Sequence, residues 1–582
     1  MENLERSLSS HCQRSLSTQL TKQQAIQSMK RDYRKTTRLR LLLFFMIFYT
    51  PSYLLAEIDQ LDSARFLSQS TLGYTEANVT ELQALGYQKW IRQQVSIPPT
   101  LLEPYIETIA SRRKYDANIP PENLPYQKVN SKQNNVGYRN ISTAWMRAVL
   151  SGNDRLRQRV AWALSQIVVT SIANNRLTEG SSNYYDLLLK HAFSNYDELL
   201  IDVTFHPVMG RYLSYMGNRK ASTNNKRQPD ENYAREIMQL FTIGLWQLNP
   251  DGSKKLNSNN EPIPTYTNDD ITELSRVFTG FWLNDTVFGR NDWEQYDSPM
   301  TIVDRHHDKK AKSLLKGHIK IEPNTSPKQE ILYAIKRLTK HENVAPFLSK
   351  KLINHLVTSN PSKQYVERVS TVWANTNGNL GKVVESILLD PEARDNAYKL
   401  LPEFGRLKDP IQRITNILIG FECGADIGHN PKDYPGLQWW RPEPLKHLSQ
   451  APMQAPSVFN FFEPEYSKPG TIADSELYSP EFQILNDATA SSVPNYIWSG
   501  LLNGFHRPMP FDKASPLTCT FPDESKQSII ELLNKANLLL SAGSIDAATL
   551  SEIRKLVTTQ SEQKHQAAVF AVAISPNATI QR

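Results

Sequence analysis

The sequence predicts a mostly α-helical globular body with a small β-hairpin insertion. Apolar residues recur at three- and four-residue spacing through most of the chain, as in helices that bury one face. The 582 residues are 40% hydrophobic and 21% charged, a composition typical of a globular protein. Alternating apolar residues occur in short runs near residues 301 and 318, which favours a hairpin over a large sheet.

The composition divides the chain into three parts. Residues 1–56 form a leader, residues 57–495 the helical body and residues 496–582 a C-terminal helical section. The body includes a hairpin insertion near residues 283–326 and an aromatic, proline-rich loop near residues 424–475. We expect the C-terminal section to lie at the periphery of the body.

Local patterns place the individual helices in order. Thr75 predicts the N-cap of a helix that Gly86 interrupts, and Asp154 predicts the cap of a strong amphipathic helix. The Pro- and Asn-rich stretch at 96–137 predicts an extended loop. Further helices are predicted over 184–192, 196–203, 207–216, 326–340, 344–357, 361–373, 380–389 and, as two or three helices, 526–574.

The leader is typical of an export signal. Six Lys or Arg residues between residues 30 and 40 precede the apolar run LLLFFMIFY, and Ala56 offers a cleavage point before Glu57. The basic sequence that begins at Met29 indicates that translation starts there. We therefore expect export to the periplasm or the cell surface. The alternative is an inner-membrane anchor through uncleaved residues 41–56, although that run is shorter than the ~20 residues that span a bilayer.

The net charge of +7 comes almost entirely from the leader. Residues 1–40 hold nine of the 66 Lys and Arg and three of the 59 Asp and Glu. From Glu57 onward, 57 basic residues face 56 acidic ones. Because a protein that binds a phosphate backbone needs a basic body, we do not expect nucleic acid as a partner. A membrane is expected to contact only the N-terminal segment.

The chain contains three cysteines, which limits the disulfides that it can form. Cys12 lies in the leader, which leaves Cys423 and Cys519. In an oxidising compartment these two could pair and stabilise the fold by ~4–5 kcal/mol in the chain-entropy model. Two separate buried thiols are the alternative. No CxxC or Cys/His spacing in the sequence predicts a structural zinc site.

The block QPDENYAREIMQLFTIGLWQLNPDG, at 228–252, carries the first candidate site. Pro229 suits a first helical turn, and helical spacing then puts Asp230 on the apolar face, with Glu231 and Arg235 as an i,i+4 ion pair opposite. A carboxylate on a buried face must be hydrogen-bonded, paired or protonated. Asp230 or Glu231, with Arg235, is therefore a candidate general base or metal ligand. The alternative is a helix cap and a surface pair that order the preceding loop.

The second candidate site is His306, His307 and Asp308. Imidazole and carboxylate can hold a divalent metal, and His318 on a facing strand could join them. Because neighbouring residues of a strand point to opposite faces, such a site requires a bent loop. A divalent metal is therefore allowed but not expected, and no other cofactor is indicated.

Aromatic residues of the long loop form the third candidate site. Trp439 and Trp440, followed by the QAPSVFNFF run at 454–462, could stack on the apolar faces of sugars, with Arg219 as a further substrate contact. The alternative is that these rings staple the loop onto the helical core. No GxSxG elbow, P-loop or GxGxxG loop supports nucleophilic or nucleotide chemistry. His191 and His206 fit core or capping roles.

Several long motifs in this order resemble one bacterial family, known as domain of unknown function 1800 (DUF1800). They are RLRQRVAWALSQIVV at 155–169, the 228–252 block, IPTYTNDDITELSRVFTGF at 263–281, HENVAPFLSKKLINHLV at 341–357 and QAPSVFNFF at 454–462. The resemblance runs from about Ala64 to Pro480 and weakens after Asn495. It implies an exported, largely helical protein, with a sulfatase- or phosphatase-like exported protein from a neighbouring gene as a partner. It implies no established activity and assigns no catalytic residue.

The leading hypothesis is an exported accessory protein that binds a partner protein or a polymer such as a polysaccharide. The alternative is a metal- or carboxylate-dependent hydrolase or lyase acting on an extracellular polymer, and a membrane-tethered scaffold is a third class. A pocket in which Asp230, Glu231 and residues 306–308 converge with Arg219 or Arg235 favours the enzyme. Dispersed positions favour the accessory protein.

Overall fold

A computed structural model of the protein describes most of the chain from Ile58 onward. The described residues are 58–106, 138–172, 177–224, 226–284, 296–423, 444–505, 517, 519, 521, 527–559 and 563–582. Residues 57–582 form one compact unit. The predicted leader and residues 107–137 of the predicted extended loop lie outside the described residues.

Helices dominate the described residues, which confirms the predicted fold class. In chain order they are α1 (Gln60–Ser70), α2 (Glu76–Leu85), α3 (Tyr87–Ser96), α4 (Tyr138–Ser151), α5 (Arg155–Ser165), α6 (Thr178–His191), α7 (Tyr196–Phe205), α8 (Pro207–Tyr212), α9 (Asn232–Gln239), α10 (Asn268–Val277), α11 (Pro327–Thr339), α12 (Val344–Leu356), α13 (Lys363–Asn375), α14 (Leu380–Leu389), α15 (Pro391–Arg394), α16 (Asn396–Lys399), α17 (Pro410–Gly420), α18 (Pro444–Leu448), α19 (Thr471–Asp474), α20 (Asp487–Asn503), α21 (Ile529–Ser541), α22 (Ala547–Thr558), α23 (Lys564–Ala573) and α24 (Pro576–Thr579).

Helix α14 shows why local spacing predicts these elements. It buries a stripe at spacings of three and four, formed by Leu380, Val383, Val384, Ile387 and Leu388. Such a stripe faces the core along one side of a helix and leaves the other side to water. Both ends of α14 match the prediction for 380–389.

Caps and one glycine set the ends of the first helices. Thr75 begins α2 with a capping box, in which its side chain accepts from the Asn78 N–H and the Asn78 side chain accepts from the Thr75 N–H. Gly86, at φ 76°, separates α2 from α3 as predicted. Asp154 stands at the N-cap of α5, but its carboxylate does not cap that helix and instead accepts from the Thr100 N–H at 2.9 Å. The predicted position is confirmed, and the predicted capping bond is wrong.

The strands form two short ribbons where one hairpin was predicted. β1 (Phe281–Trp282) pairs antiparallel with β2 (Thr301–Ile302), and β3 (Lys312–Leu314) pairs with β4 (Ile319–Ile321). The two predicted strands therefore exist but do not pair with each other. A third pair joins β5 (Arg406–Leu407) to β6 (Ile580–Gln581).

The C-terminal section belongs to the same core as the rest of the body. Its last strand, β6, pairs with β5, and helix α21 accepts hydrogen bonds from two distant buried side chains. Tyr74 Oη donates to the Leu538 carbonyl at 2.9 Å, and Lys408 Nζ donates to the Leu540 carbonyl at 2.6 Å. The expectation of a peripheral section is therefore corrected, because helices α21 and α23 add buried residues to the common core.

A disulfide joins Cys423 to Cys519, which decides between the two alternatives left open by the sequence. Both cysteines are buried, and the bridge spans a sequence separation of 96 residues. Cys423 follows α17, so the bridge ties the polypeptide after α20 to the middle of the core. Among the described helices, none is both long and apolar enough to cross a membrane.

Candidate functional site

Helix α9 begins at Asn232, three residues after Pro229, where the sequence pattern predicts its first turn, and this changes the role of Asp230. The carboxylate of Asp230 is exposed and accepts from Ser214 Oγ at 3.0 Å and from the Asn232 N–H at 2.8 Å. Its backbone N–H donates to Asn218 Oδ1 at 2.9 Å. Because Asp230 precedes the helix, helical spacing does not apply to it, and its predicted place on the apolar face is wrong.

Glu231 and Arg235 form the predicted i,i+4 ion pair, with 3.6 Å between Arg235 Nη2 and Glu231 Oε2. Both side chains are about two-fifths exposed, at 41% and 42%. Glu231 Oε1 also accepts from Thr272 Oγ1 at 2.8 Å, which links α9 to α10. The buried carboxyl of α9 is Glu236, whose Oε2 has no hydrogen-bond partner and whose pKa is raised by burial.

His306, His307 and Asp308 point to three different surroundings. His306 Nε2 accepts from Arg305 Nε at 3.2 Å near the surface. His307 is fully buried, with its Nε2 3.3 Å from Glu330 Oε2, and Asp308 Oδ1 lies 3.0 Å from Arg276 Nη2. The 3-10 turn Asp304–His306 ends before His307, and the side chain of His307 then points into the core.

The proposed fourth metal ligand, His318, also lies apart from these residues. Its Nε2 bonds to the Arg337 carbonyl at 2.9 Å, and its ring packs against His341. In the part of the chain that the structure describes, no three His, Cys, Asp or Glu side chains are grouped to hold a metal ion. The geometry therefore gives these residues no common centre.

His307 and Asp308 instead belong to a buried chain of charges that fastens the β3–β4 ribbon to helices. Lys312 Nζ, on β3, lies 2.7 Å from Glu330 Oε1 on α11 and donates to the Asp308 carbonyl at 2.6 Å. His307 Nδ1 bonds to the Thr279 carbonyl at 2.8 Å, just after α10. Such buried pairs fix how two elements meet.

A small pocket lies elsewhere, over the QAPSVFNFF run. It has a volume of about 60 Å³, which is room for about four water-sized groups. Trp439 and Trp440 lie outside the described residues. The pocket is lined by Gln166, Ile167, Leu240, Lys351, Asn354, His355, Val458, Phe459, Asn460, Phe462, Pro464, Pro480 and Glu481.

Two acceptors of this pocket have no partner. Glu481 Oε2 and Asn460 Oδ1 are buried and make no hydrogen bond. The imidazole of His355 also makes none among the described residues, whereas Lys351 Nζ donates to the Leu240 carbonyl at 2.9 Å. Because a buried unsatisfied polar atom costs about 1–3 kcal/mol, these atoms are suited to a bound group that donates hydrogen bonds.

A buried ionic cluster holds Glu481 in place. Arg406 Nη2 donates to Glu481 Oε1 at 2.7 Å and to Asp409 Oδ1 at 2.6 Å, and all three side chains are almost fully buried. Arg159 Nη2 donates to the His355 carbonyl. The pocket floor is therefore rigid, since each of its charged groups is bonded to a different element of the core.

Burial also sets the charge states in the pocket. It lowers the pKa of His355 to about 3, assisted by the nearby Arg406, so the imidazole is neutral at pH 7. Burial lowers the pKa of Lys351 to about 8. Burial raises the pKa of Glu481, although Arg406 opposes that shift. A neutral imidazole and a carboxyl of raised pKa thus face the same small space.

His206 has the capping role expected from the sequence. It is the N-cap of α8, where Nδ1 accepts from the Val208 N–H at 3.2 Å and Nε2 lies 3.1 Å from Asn183 Oδ1. Burial lowers its pKa to about 3 from the ordinary 6.5. Protonation of Nδ1 would remove the cap, because that nitrogen could no longer accept.

We expect acid to destabilise the protein through His206. Between pH 6.5 and about 3 the unfolded imidazole binds a proton that the folded one does not, so stability falls as the pH falls. From pH 7 to pH 5 this amounts to about 2 kcal/mol. His206→Asn keeps an acceptor for the Val208 N–H but has no imidazole to protonate. Over that interval its free energy of unfolding, measured with urea, should therefore fall by about 2 kcal/mol less than that of the wild type. An equal loss in both proteins would show that His206 is protonated in the folded state, and the interval from pH 7 to 8.5 is the control.

Sequence reasoning did not find the pocket residues. His355 and Lys351 lie within an ordinary amphipathic helix, and Glu481 follows Pro480 in a short 3-10 helix, Pro480–Gln483. Asn460, set inside the aromatic run, is the one polar residue whose position could have suggested a site. Arg219, by contrast, lies with His306 in a surface cluster rather than in this pocket.

The fold and the pocket define a class of protein. It is a mostly helical body whose C-terminal section is joined to the rest by a strand pair and a disulfide. A small polar pocket lies over a buried ionic cluster. The chain belongs to the family described as "Protein of unknown function (DUF1800)", whose sequence profile matches residues 65–580. This match confirms the resemblance and extends it through the C-terminal section. Comparisons with curated proteins and with solved structures gave no match.

Proposed function

We propose that this is an exported accessory protein that binds a sugar unit of an extracellular polysaccharide in the pocket formed by His355, Phe459, Asn460 and Glu481. The observation that carries the proposal is the pair of unpartnered acceptors, Glu481 Oε2 and Asn460 Oδ1, next to the ring of Phe459. Sugar hydroxyls donate hydrogen bonds to such acceptors. An aromatic ring accepts the apolar face of a sugar.

The size and the lining of the pocket agree with this ligand. A volume of about 60 Å³ admits the edge of a sugar ring rather than a whole oligosaccharide. The Phe459 side chain is 47% exposed, so part of its ring is open to a ligand, whereas Phe462 is buried at 4%. The two rings of the aromatic loop thus have different roles. Phe462 packs into the core, and Phe459 remains available to a ligand.

Export is supported by the disulfide and the leader. Disulfides persist in the periplasm and outside the cell and are rare in the cytosol, where thiols are kept reduced. The bridge between Cys423 and Cys519 joins two buried sites in the core of the protein. Together with the export signal predicted in residues 1–56, this bridge favours the periplasm or the cell surface. A sulfatase- or phosphatase-like exported protein is the partner that we propose.

The dispersed positions of the predicted catalytic residues support the accessory role. Asp230 is bonded to Ser214, Glu231 to Arg235, and Asp308 to the partly buried Arg276. These carboxylates therefore have separate partners and separate surroundings. A common active site built from them would require each of these contacts to break.

Sugar binding can be tested with a panel of methyl glycosides and N-acetylglucosamine, using saturation-transfer NMR and titration. We expect at least one of them to bind with millimolar affinity, and Phe459→Ala to weaken that binding about tenfold, or ~1.4 kcal/mol. Tyr333→Ala is the matched control, since Tyr333 is also an exposed aromatic, at 41%, but lies on α11 outside the pocket. Absence of binding across the panel, or equal effects of the two variants, would overturn the proposal.

A polymer hydrolase or lyase is the second candidate. The observation in its favour is that Glu481, a carboxyl of raised pKa, and His355, a neutral imidazole, line one pocket. Such a pair can give and take protons at one bond. Release of reducing ends from a polysaccharide by the wild type, abolished in His355→Gln, would favour the enzyme over the accessory protein.

A further inference from the structure

Two loops on the surface bring together six basic side chains. A backbone hydrogen bond from the Lys220 N–H to the His306 carbonyl, 2.9 Å long, joins the loops. Arg227 then folds its guanidinium back onto the Lys220 carbonyl at 3.3 Å. We call this region the cationic surface; it comprises Arg219, Lys220, Lys226, Arg227, Arg305 and His306.

Four cations of this surface are open to solvent and form no ion pair with a described carboxylate. Lys220, Lys226, Arg227 and Arg305 are exposed, and none of these four takes part in an ion pair with another described residue. The nearby carboxylate of Asp304 is already engaged, since its Oδ2 lies 2.5 Å from Lys309 Nζ. The positive charge of the surface is therefore available to a ligand.

The density of positive charge here is not explained by composition. From Glu57 onward the chain has nearly equal numbers of basic and acidic residues, so a group of five Lys and Arg side chains is a local segregation of charge. The field acts on its own members: burial and then Arg219 and Arg305 lower the pKa of His306. Exposed like charges that lack ion pairs, as in those four side chains, raise the energy of the free protein, and an anionic ligand relieves that repulsion.

We propose that the cationic surface binds an acidic polysaccharide, a chain that carries carboxylate or sulfate groups at regular intervals. This inference rests on the proposed function for the choice of a polysaccharide, and it deepens that function by naming the chemical class. The planar arginine forks suit carboxylate and sulfate groups, because two N–H groups can donate to two oxygens of either group. Because the cations are spread over two exposed loops rather than gathered in a pocket, a repeating polyanion fits them better than a single small anion.

The position of the surface along the chain connects it with the pocket. The cationic loop ends at α9, and Leu240, directly after α9, lines the pocket. The eight residues of α9 span about 12 Å at 1.5 Å per residue. One short helix of the chain therefore lies between the cationic loop and a residue of the pocket.

Binding of polygalacturonate and dextran sulfate, with uncharged dextran of equal length as the neutral probe, tests this proposal. We expect the wild type to bind both charged polymers but not dextran, with an affinity that falls steeply as salt rises. The triple variant Lys220→Gln, Arg227→Gln, Arg305→Gln should lose at least tenfold in affinity and show a shallower salt dependence. Lys89→Gln, Arg92→Gln, Lys336→Gln is the matched control, which removes the same charge from exposed sites on α3 and α11.

The outcomes separate this proposal from the sugar pocket. Equal losses in the two triple variants would show that only net charge matters and would overturn the proposal, as would an absence of binding. Tight binding of polyglutamate with no binding of either acidic polysaccharide would assign the surface to an acidic protein and also overturn it. Suppose that no methyl glycoside binds, but that the triple variant still binds polygalacturonate more weakly than the wild type does. The pocket proposal then fails and the surface proposal stands. The charge-retaining variant Lys220→Arg should bind at least as tightly as the wild type, which separates charge loss from a folding defect.

Discussion

Asp409→Ala is expected to lower the free energy of unfolding by about 3–5 kcal/mol. The Asp409 side chain is fully buried, and its Oδ1 accepts from Arg406 Nη2 at 2.6 Å. Its Oδ2 accepts from Trp162 Nε1 at 3.0 Å and from Gln450 Nε2 at 3.3 Å. Alanine would leave a buried guanidinium short of negative charge and an indole N–H without an acceptor, and both losses are expensive in a low-dielectric core.

The charge of Asp409 matters as much as its shape. Burial alone would raise the pKa of this carboxyl, but Arg406 and Arg159 overcome that effect and hold its pKa below the ordinary range. Asp409 is therefore ionised at neutral pH. Asp409→Asn keeps the size and one acceptor while it removes the charge, so its loss of stability should lie between those of the wild type and Asp409→Ala.

Urea unfolding followed by far-UV circular dichroism measures both variants. Glu231→Ala is the control, because it breaks an ion pair with Arg235 that is about two-fifths exposed and should cost less than about 1 kcal/mol. If Asp409→Ala lost no more than this control, the buried cluster would contribute no net stability. The pocket floor would then lack the rigidity that we assign to it.

Removing the disulfide should have an effect of similar size. The double variant Cys423→Ser, Cys519→Ser frees a loop of 96 residues in the unfolded state, which corresponds to about 4–5 kcal/mol in the chain-entropy model. Two buried hydroxyls, in place of the sulfurs, add to the loss because neither cysteine site is open to water. We expect a lower urea midpoint and a lower melting temperature for the double variant.

The same bridge makes the stability depend on redox conditions. The oxidised wild type treated with dithiothreitol should approach the double variant, whereas the double variant itself should not respond. Identical melting of the oxidised wild type and the double variant would show that the bridge adds nothing to the core.

Local chemistry made several elements predictable. The capping box at Thr75 and the helix break at Gly86 depend on residues close in sequence, and the structure has both. The ion pair of Glu231 with Arg235 depends on a spacing of four. In each case the interacting groups lie within one turn of one another, so the sequence displays the whole interaction.

Asp230 shows where this reasoning fails. Its helical phase was extrapolated from α9, but a hydrogen bond from Ser214, 16 residues earlier, holds it in the preceding turn. The predicted pairing of the strands is wrong for the same reason. Each predicted strand found its partner in a segment whose own pattern is too short to be recognised, as with Phe281–Trp282.

The sequence by itself determined the helical class, most helix positions, the near-neutral charge of the body and the family. These properties depend on composition and on contacts within a few residues. Only the tertiary structure decided that Cys423 pairs with Cys519 and that the pocket exists. Its residues meet across long stretches of chain, such as the 294 positions between Gln166 and Asn460, and the pocket residue His355 is bonded to Arg159, which lies 196 positions away. Such contacts follow from the packing of the whole core, because burial of many helices together, and no local pattern, brings those side chains into one space.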